Sequence, residues 1–369
     1  MVLPVTFTIK RGKQRLNIEK LRKEDQDEPD ITGGYIFKRD RLDAGERGFK
    51  TPQGAFFAFD EPKERNLTTA QSAWLTNYVA EFEHALFGEQ FTDPTNGYAR
   101  YIDPDSFIDY HWMTEVSRNL DGYWVSQYYH KDRGEKLKMG PVWDFDLAFG
   151  NAGNHGCHRT NGWHWEALRG NEYEWFARLF EDPDFLQRYI DRWAELRTTV
   201  FATSNVLARI DRLTGELKEA QARNFQRWPI LGKRIHIGKH VGATYQDEVD
   251  WMKNWMAGRL AWIDTQDFPP PAMHVANNRL SGTNEIRLAC LVGNIYYTTN
   301  GIDPRQRGGL PSPDAFEYRA PVHLPNGTPF TARVRSDDGL WSAPVRLEGT
   351  PKGKQATTMK DAQLEHTDK

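Results

Sequence analysis

Between residues 68 and 263 the chain is mostly helical in pattern, with five segments that repeat apolar positions at helical spacing. Thr68 to Phe87 sets Trp74, Tyr78, Phe82 and Leu86 on one stripe, and Gly88 is a natural stop. Asp105 to Val116 does the same with Phe107, Ile108, Trp112 and Val116. Pro183 to Val200 carries Leu186, Tyr189, Ile190, Trp193 and Leu196, and Val206 to Phe225 carries Leu207, Ile210, Leu213 and Leu217. Tyr245 to Ile263 closes the series with Val249, Met252, Trp255, Met256 and Trp262. These stripes predict five helices whose aromatic faces form a core rather than a cofactor box.

Phe268-Pro269-Pro270-Pro271 interrupts the pattern, because consecutive prolines favour polyproline II and cannot continue a helix. Beyond it the period falls to two. Arg287 to Ala289, Asn294 to Thr299, Phe330 to Val334 and Val345 to Leu347 read as short strands. Asn300-Gly301, Asn326-Gly327 and Asp338-Gly339 supply turns between them. The pattern predicts an α+β chain: a mainly helical domain over residues 1–265, a Pro-rich linker over 266–275, a small β-sandwich over 276–349 and a disordered polar tail over 350–369.

Composition refines this picture. Twelve of the 13 tryptophans lie between Trp74 and Trp262, so the large core is N-terminal. With 48 Lys and Arg against 51 Asp and Glu the net charge is −3, which gives no global case for nucleic acid. No run of apolar residues is long enough for a transmembrane helix. Met1 to Thr8 is weakly apolar and lacks a small-residue cleavage site, so no signal peptide is expected in the chain. Cys157 and Cys290 stand apart and outside any CxxC pair, which points to neither a disulfide framework nor a zinc ribbon.

The chemistry concentrates in residues 121–150. Tyr123 to His130 is aromatic and β-branched, Asp132-Arg133-Gly134 is a turn signal, and Leu137 to Trp143 can return as the partner strand. Such a hairpin, with its midpoint near residue 132.5, brings Asp121 and Asp144 to one open end, with Asp146 just beyond. Two carboxylates at ~6 Å repel by roughly 3 kcal/mol at an effective dielectric near 20. A divalent cation such as Mg²⁺, a shared proton, or Lys131, Arg133, Lys136 or Lys138 could offset that repulsion. The plainer alternative is that the aspartates only cap turns. His155, Cys157, His158 and His164 cluster nearby, but their spacing fits no usual zinc pattern, and a loop beside the acid site accounts for them equally well. Thr160 to Trp165 is either an aromatic rim to the cleft or core.

The segments Tyr101 to Tyr110, Asn119-Leu-Asp-Gly-Tyr123, Ser126, Lys131-Asp132 and Gly140-Pro-Val-Trp-Asp-Phe-Asp-Leu-Ala-Phe-Gly150 together resemble the spore-coat protein H (CotH) family of atypical protein kinases. Ile9-Lys10-Arg11 and Thr32-Gly33-Gly34-Tyr35-Ile36 resemble it too, so the likeness runs from about Ile9 to Asp264. It implies an atypical kinase-like catalytic lobe with a β-hairpin active site. Asp121 takes the place of the catalytic aspartate that accepts the substrate hydroxyl proton. Ser126 stands where kinases carry a metal-binding asparagine, and Asp144 where they hold the metal of bound ATP, with Asp146 a further metal candidate. ATP and Mg²⁺ or Mn²⁺ are the implied cofactors, a protein with Ser or Thr acceptors the implied partner, and the cell surface or spore coat the implied place.

The resemblance departs from a full kinase upstream. Few residues precede Ile9, and no Gly-rich loop is present, so the chain reads as a catalytic half lacking most of its nucleotide-binding lobe. Weak or absent transfer by this chain alone is the expectation, and a non-catalytic surface or adhesion protein built on a kinase relic is the alternative. Tyr296 to Pro304, Thr331 to Arg335 and Leu340 to Ala343 resemble the immunoglobulin-like module at the C-terminus of chitobiases and β-hexosaminidases. In that module Asn300-Gly301 makes a hairpin turn and Trp341 packs the core. A spacer role, or contact with a cell-surface glycan, follows from that likeness.

Overall fold

A computed structural model describes residues 9–42, 44–167, 174–235, 237–266, 269–278 and 281–349. The chain divides into two units, 1–267 and 268–369.

The first unit is built around an antiparallel sheet that the apolar pattern did not announce. Its strands are β1 (Tyr35–Arg39), β2 (Gly48–Lys50), β3 (Phe56–Glu61), β4 (Gln127–Lys131) and β5 (Leu137–Met139), in the order β2-β3-β1-β4-β5. The predicted hairpin is therefore real but not solitary. Its other edge pairs with β1, from Tyr35 opposite Lys131 to Arg39 opposite Gln127. Within the hairpin His130 faces Lys138, which centres the turn on Gly134 rather than near residue 132.5. The close approach of β1 to that turn explains Gly33-Gly34. A Cβ on Gly33 would sit 2.0 Å from the Arg133 nitrogen, and Gly34 holds φ +93° while its N–H donates to the Lys131 carbonyl at 2.8 Å.

Eight helices accompany the sheet among the described residues. They are α1 (Thr69–Phe87), α2 (Pro104–Ser117), α3 (His164–Ala167), α4 (Glu174–Leu179), α5 (Pro183–Thr198), α6 (Thr203–Glu216), α7 (Lys218–Arg227) and α8 (Tyr245–Gln266). Thr68 caps α1 in a reciprocal box with Gln71, and Asp103 caps α2, whose first residue is Pro104. The helix expected over Val206 to Phe225 is two helices, parted at Leu217, and neither buries a residue fully. The core is a continuous aromatic assembly. Phe37 stacks on Tyr129 at 5.3 Å, Phe57 on Trp175 at 5.5 Å, and Trp112 on Tyr189 at 4.0 Å. Offset stacked and edge-on pairs of this kind add to the burial of the rings themselves.

In the second unit, β6 (Ala272–Asn278), β7 (Thr283–Ala289) and β10 (Val322–Pro325) form one antiparallel sheet. The other comprises β8 (Asn294–Thr298), β9 (Phe316–Glu317), β11 (Phe330–Arg335) and β12 (Val345–Leu347). Ile286 and Leu288 of the first sheet share one apolar cluster with Ile295, Phe330, Ala332 and Val334 of the second. Strand β6 begins at Ala272, so the expected linker over 266–275 gives way to sheet before it ends. Trp341 is buried and donates its indole N–H to the Gly309 carbonyl at 2.8 Å. Asn300-Gly301 is not a hairpin turn: β8 pairs with β9 as Tyr296 opposite Glu317, so the dipeptide opens a long connection. The predicted tail over 350–369 lies outside the described residues.

Candidate active site

Helix α2 delivers the first carboxylate. It ends at Arg118, which takes a left-handed φ of 46° and turns the chain into Asn119-Leu120-Asp121-Gly122. Gly122 is obligatory, because a Cβ there would meet the Thr114 side chain at 2.6 Å. Its carbonyl accepts from the Tyr110 hydroxyl and from Gln127 Nε2, both at 2.9 Å. The Asp121 carbonyl accepts the N–H groups of Trp124 and Val125, so the loop carrying Asp121 is held from both sides.

The irregular segment after β5 returns to the same place. Asn119 Nδ2 donates to the Asp144 carbonyl at 3.1 Å, while Asn119 Oδ1 accepts the Asp121 N–H at 3.4 Å. One amide thus ties both acid-bearing segments. Further along, the Phe149 N–H donates to the Ser117 carbonyl at 2.8 Å. Ser126, buried at the foot of β4, donates its hydroxyl to Asp144 Oδ2 at 3.3 Å.

Burial and mutual charge act on the acids together. Burial pushes the Asp121 carboxyl above the usual carboxylate range; Arg41 opposes that, and Asp146 and Asp40 reinforce it. Burial likewise raises Asp144, together with a hydrogen bond to Asp146 and the charges of Asp146 and Asp121, against the pull of Ser126. Asp121 is half-buried, whereas Asp144 and Asp146 are exposed. The structure therefore brings together Asp121, Ser126, Asp144 and Asp146. Among the described residues, no three or more His, Cys, Asp or Glu are grouped as a metal cage. Mg²⁺ does not require one, since one or two carboxylates with phosphate oxygens and water suffice. The donor set fits such a hard cation: oxygen ligands, excess negative charge and an exposed face.

Beside the acids runs a cleft. One part, about 420 Å³, is lined by Lys10, Arg15, Trp143, Asp144 and Phe145. It shares Ile9, Lys10 and Trp143 with a larger part of about 810 Å³, whose walls include Arg11, Lys20, Lys63 and Tyr128. Opposite Tyr128 on the neighbouring strand stands Lys38. Its buried ammonium pairs with Glu46 at 3.2 Å, and Glu46 also takes Lys63 at 2.9 Å. Sequence reading missed these groups, along with Asn119 and Arg41. For Lys38 the signal lay in strand β1, whose run Tyr35-Ile-Phe37 lacks clean alternation.

Two residues of the His and Cys loop, Cys157 and His164, pack into the interior. Cys157 Sγ lies 3.8 Å from His164 Nδ1, and both are buried; burial pushes the thiol up to about 11 and the imidazole down to about 4. His164 N–H and Trp165 N–H donate to Glu115, which pairs with Arg259 at 3.1 Å, both side chains fully buried. Arg118 and Arg259 also donate to the Gly162 carbonyl, each at 2.8 Å. Trp163 packs on Trp262 at 5.1 Å and is core, not rim.

A model of the CotH kinase protein family matches residues 14–263. The chain belongs to the CotH kinase family. No curated protein and no solved structure matches it. The matched stretch spans the five-stranded sheet, the acid cluster and the described helices α1 to α7 with most of α8. A CotH kinase-like fold is accordingly what holds Asp121, Ser126, Asp144 and Asp146 together.

Proposed function

We propose that the first unit transfers the γ-phosphoryl group of ATP to Ser or Thr hydroxyls of a protein, with Mg²⁺ or Mn²⁺. The observation that carries this reading is the single acid cluster formed by Asp121, Ser126 and Asp144 beside a cleft walled by lysine, arginine and tryptophan. Asp121 is the group suited to accept the acceptor hydroxyl proton; the half-buried carboxyl has a raised proton affinity, which favours that task. Asp144 and Ser126 would hold the cation, with Asp146 adjacent. When bound, the cation would neutralise charge on the phosphate oxygens. Lys10 and the Lys38–Glu46 pair are the candidates to position phosphates, and Trp143 and Tyr128 offer surface to a base. Positioning supplies most of the rate in phosphoryl transfer, and these cations would supply it here, so the proposal departs from the sequence-based expectation of weak or absent transfer.

The second unit is proposed as an immunoglobulin-like spacer of the chitobiase C-terminal type, supported by its two antiparallel sheets and buried Trp341. No helix among the described residues is long and apolar enough to cross a membrane. A cell-surface or spore-coat setting is proposed from the family alone. The test is nucleotide binding with cation: the change in intrinsic tryptophan fluorescence on adding ATP and Mg²⁺, with Trp143→Phe as the control that assigns it. A saturable change lost in Asp144→Ala supports the reading, and no change in the parent removes it.

A further inference from the structure

Residues 220–246 contain five Lys and Arg and no Asp or Glu, within a chain whose net charge is −3. The middle of this stretch leaves α7 and forms a loop closed by the Gly232 N–H on the Gly242 carbonyl at 2.8 Å. Trp228, Ile230 and Ile235 are 56%, 40% and 49% exposed, an unusual concentration of apolar area on one connection. Lys233, Arg234 and Lys239 are exposed between and beside them and make no ion pair among the described residues. The Arg227 guanidinium lies 4.6 Å from the Trp228 ring centre, an arrangement that orders the indole at the surface.

The loop is joined to the acid site. Ala152 bridges Gly238, the Gly153 N–H donates to the Ile237 carbonyl at 2.8 Å, and the Lys239 N–H to the Asn151 carbonyl at 3.2 Å. Asn151 in turn donates to the Asp146 carbonyl at 2.7 Å. A basic, apolar arm is thus anchored two links from the carboxylates. Exposed Trp and Arg are the side chains that dominate protein interfaces, and unpaired Lys and Arg select an acidic partner.

We propose that this loop docks an acidic, apolar-containing segment of the acceptor protein and so holds its hydroxyl within reach of Asp121. The proposal rests on the phosphotransfer reading for its purpose, but docking itself can be measured without ATP. The probe is a fluorescein-labelled synthetic peptide that alternates Glu-Asp pairs with Leu and Phe around one Ser. Its counterpart carries Lys and Arg in place of the acids. Fluorescence anisotropy with the full chain should show binding of the acidic peptide only. Lys233→Glu/Arg234→Glu should weaken it about tenfold, and raising salt from about 50 to about 300 mM should weaken it for the parent. Trp228→Ala should weaken it as well, with melting temperature unchanged as the check on folding. Asp121→Asn and Asp144→Ala should bind as the parent does, and a parent that docks the acidic peptide but transfers no phosphoryl group would refute the enzyme reading alone. Equal binding of both peptides, unchanged affinity in the charge-reversal variant, or binding of phosphatidylserine vesicles or single-stranded DNA in place of the acidic peptide would overturn the proposal.

Discussion

Ser126 donates its hydroxyl to Asp144 Oδ2 at 3.3 Å, and both residues hold left-handed backbone, with φ of 58° and 60°. Non-glycine residues adopt that region at a cost, and such costs collect where a surrounding structure fixes a side chain for a purpose. Here the clamp by Asn119 supplies the fixing. Ser126→Ala removes a hydrogen bond that favours the ionised Asp144. It should weaken Mn²⁺ affinity about tenfold, the scale of losing a partner that orients a ligand. A Mn²⁺ titration by electron paramagnetic resonance checks this; unchanged affinity would detach Ser126 from the cation.

Crowded carboxylates should also be visible in stability. Asp144 has its proton affinity raised by burial and by Asp146, so its contribution is full below the unfolded carboxylate range and is lost as pH rises through the folded value. At neutral pH Asp144→Asn should therefore raise the melting temperature by about 1–2 °C. Millimolar Mg²⁺ should stabilise the parent but not Asp144→Ala, by mass action. A lower melting temperature for Asp144→Asn would mean that the acids are not in repulsion.

The two histidines beneath the site set an acid limit. Burial lowers His111 and His164 from 6.5 to about 4. The unfolded chain takes up these protons from about pH 6.5 and the folded chain only near 4, so stability is lost as pH falls through that window. His164→Gln should flatten the fall in melting temperature across it. An identical slope would place the acid sensitivity elsewhere.

Arg259 and Glu115 make the demand on packing explicit. Arg259→Met leaves the buried Glu115 carboxylate without its charge partner and should cost about 3–5 kcal/mol by urea midpoint. Glu115→Gln/Arg259→Met should recover part of that. A single-variant cost under about 1 kcal/mol would show that the pair does not brace the loop over 160–165.

How much of this was readable from residues alone depended on local signals. Helix α1 was legible because Thr68 and Gln71 mark its start and Gly88 its end. The acid cluster was legible because a hairpin is a local fold, and a shift of its centre to Gly134 still leaves Asp121 and Asp144 at one end. The strands β1 to β3 were hidden, since Phe37 and Phe57 sit among neighbours buried on both faces. The break at Leu217 was hidden because amphipathic spacing continues across it. Asn119, Arg41 and the Glu115–Arg259 pair depend on contacts between distant segments, which no spacing rule reports.

The account stands on Asp121, Ser126 and Asp144 acting as one phosphotransfer centre. Its most direct test is incubation of residues 1–369 with γ-labelled ATP, Mn²⁺ and a Ser-rich acidic acceptor protein, followed by counting label on protein. The account predicts labelling above background that Asp121→Asn and Asp144→Ala each abolish while the variants stay folded. Absence of label on the parent, or label that survives both substitutions, would contradict it.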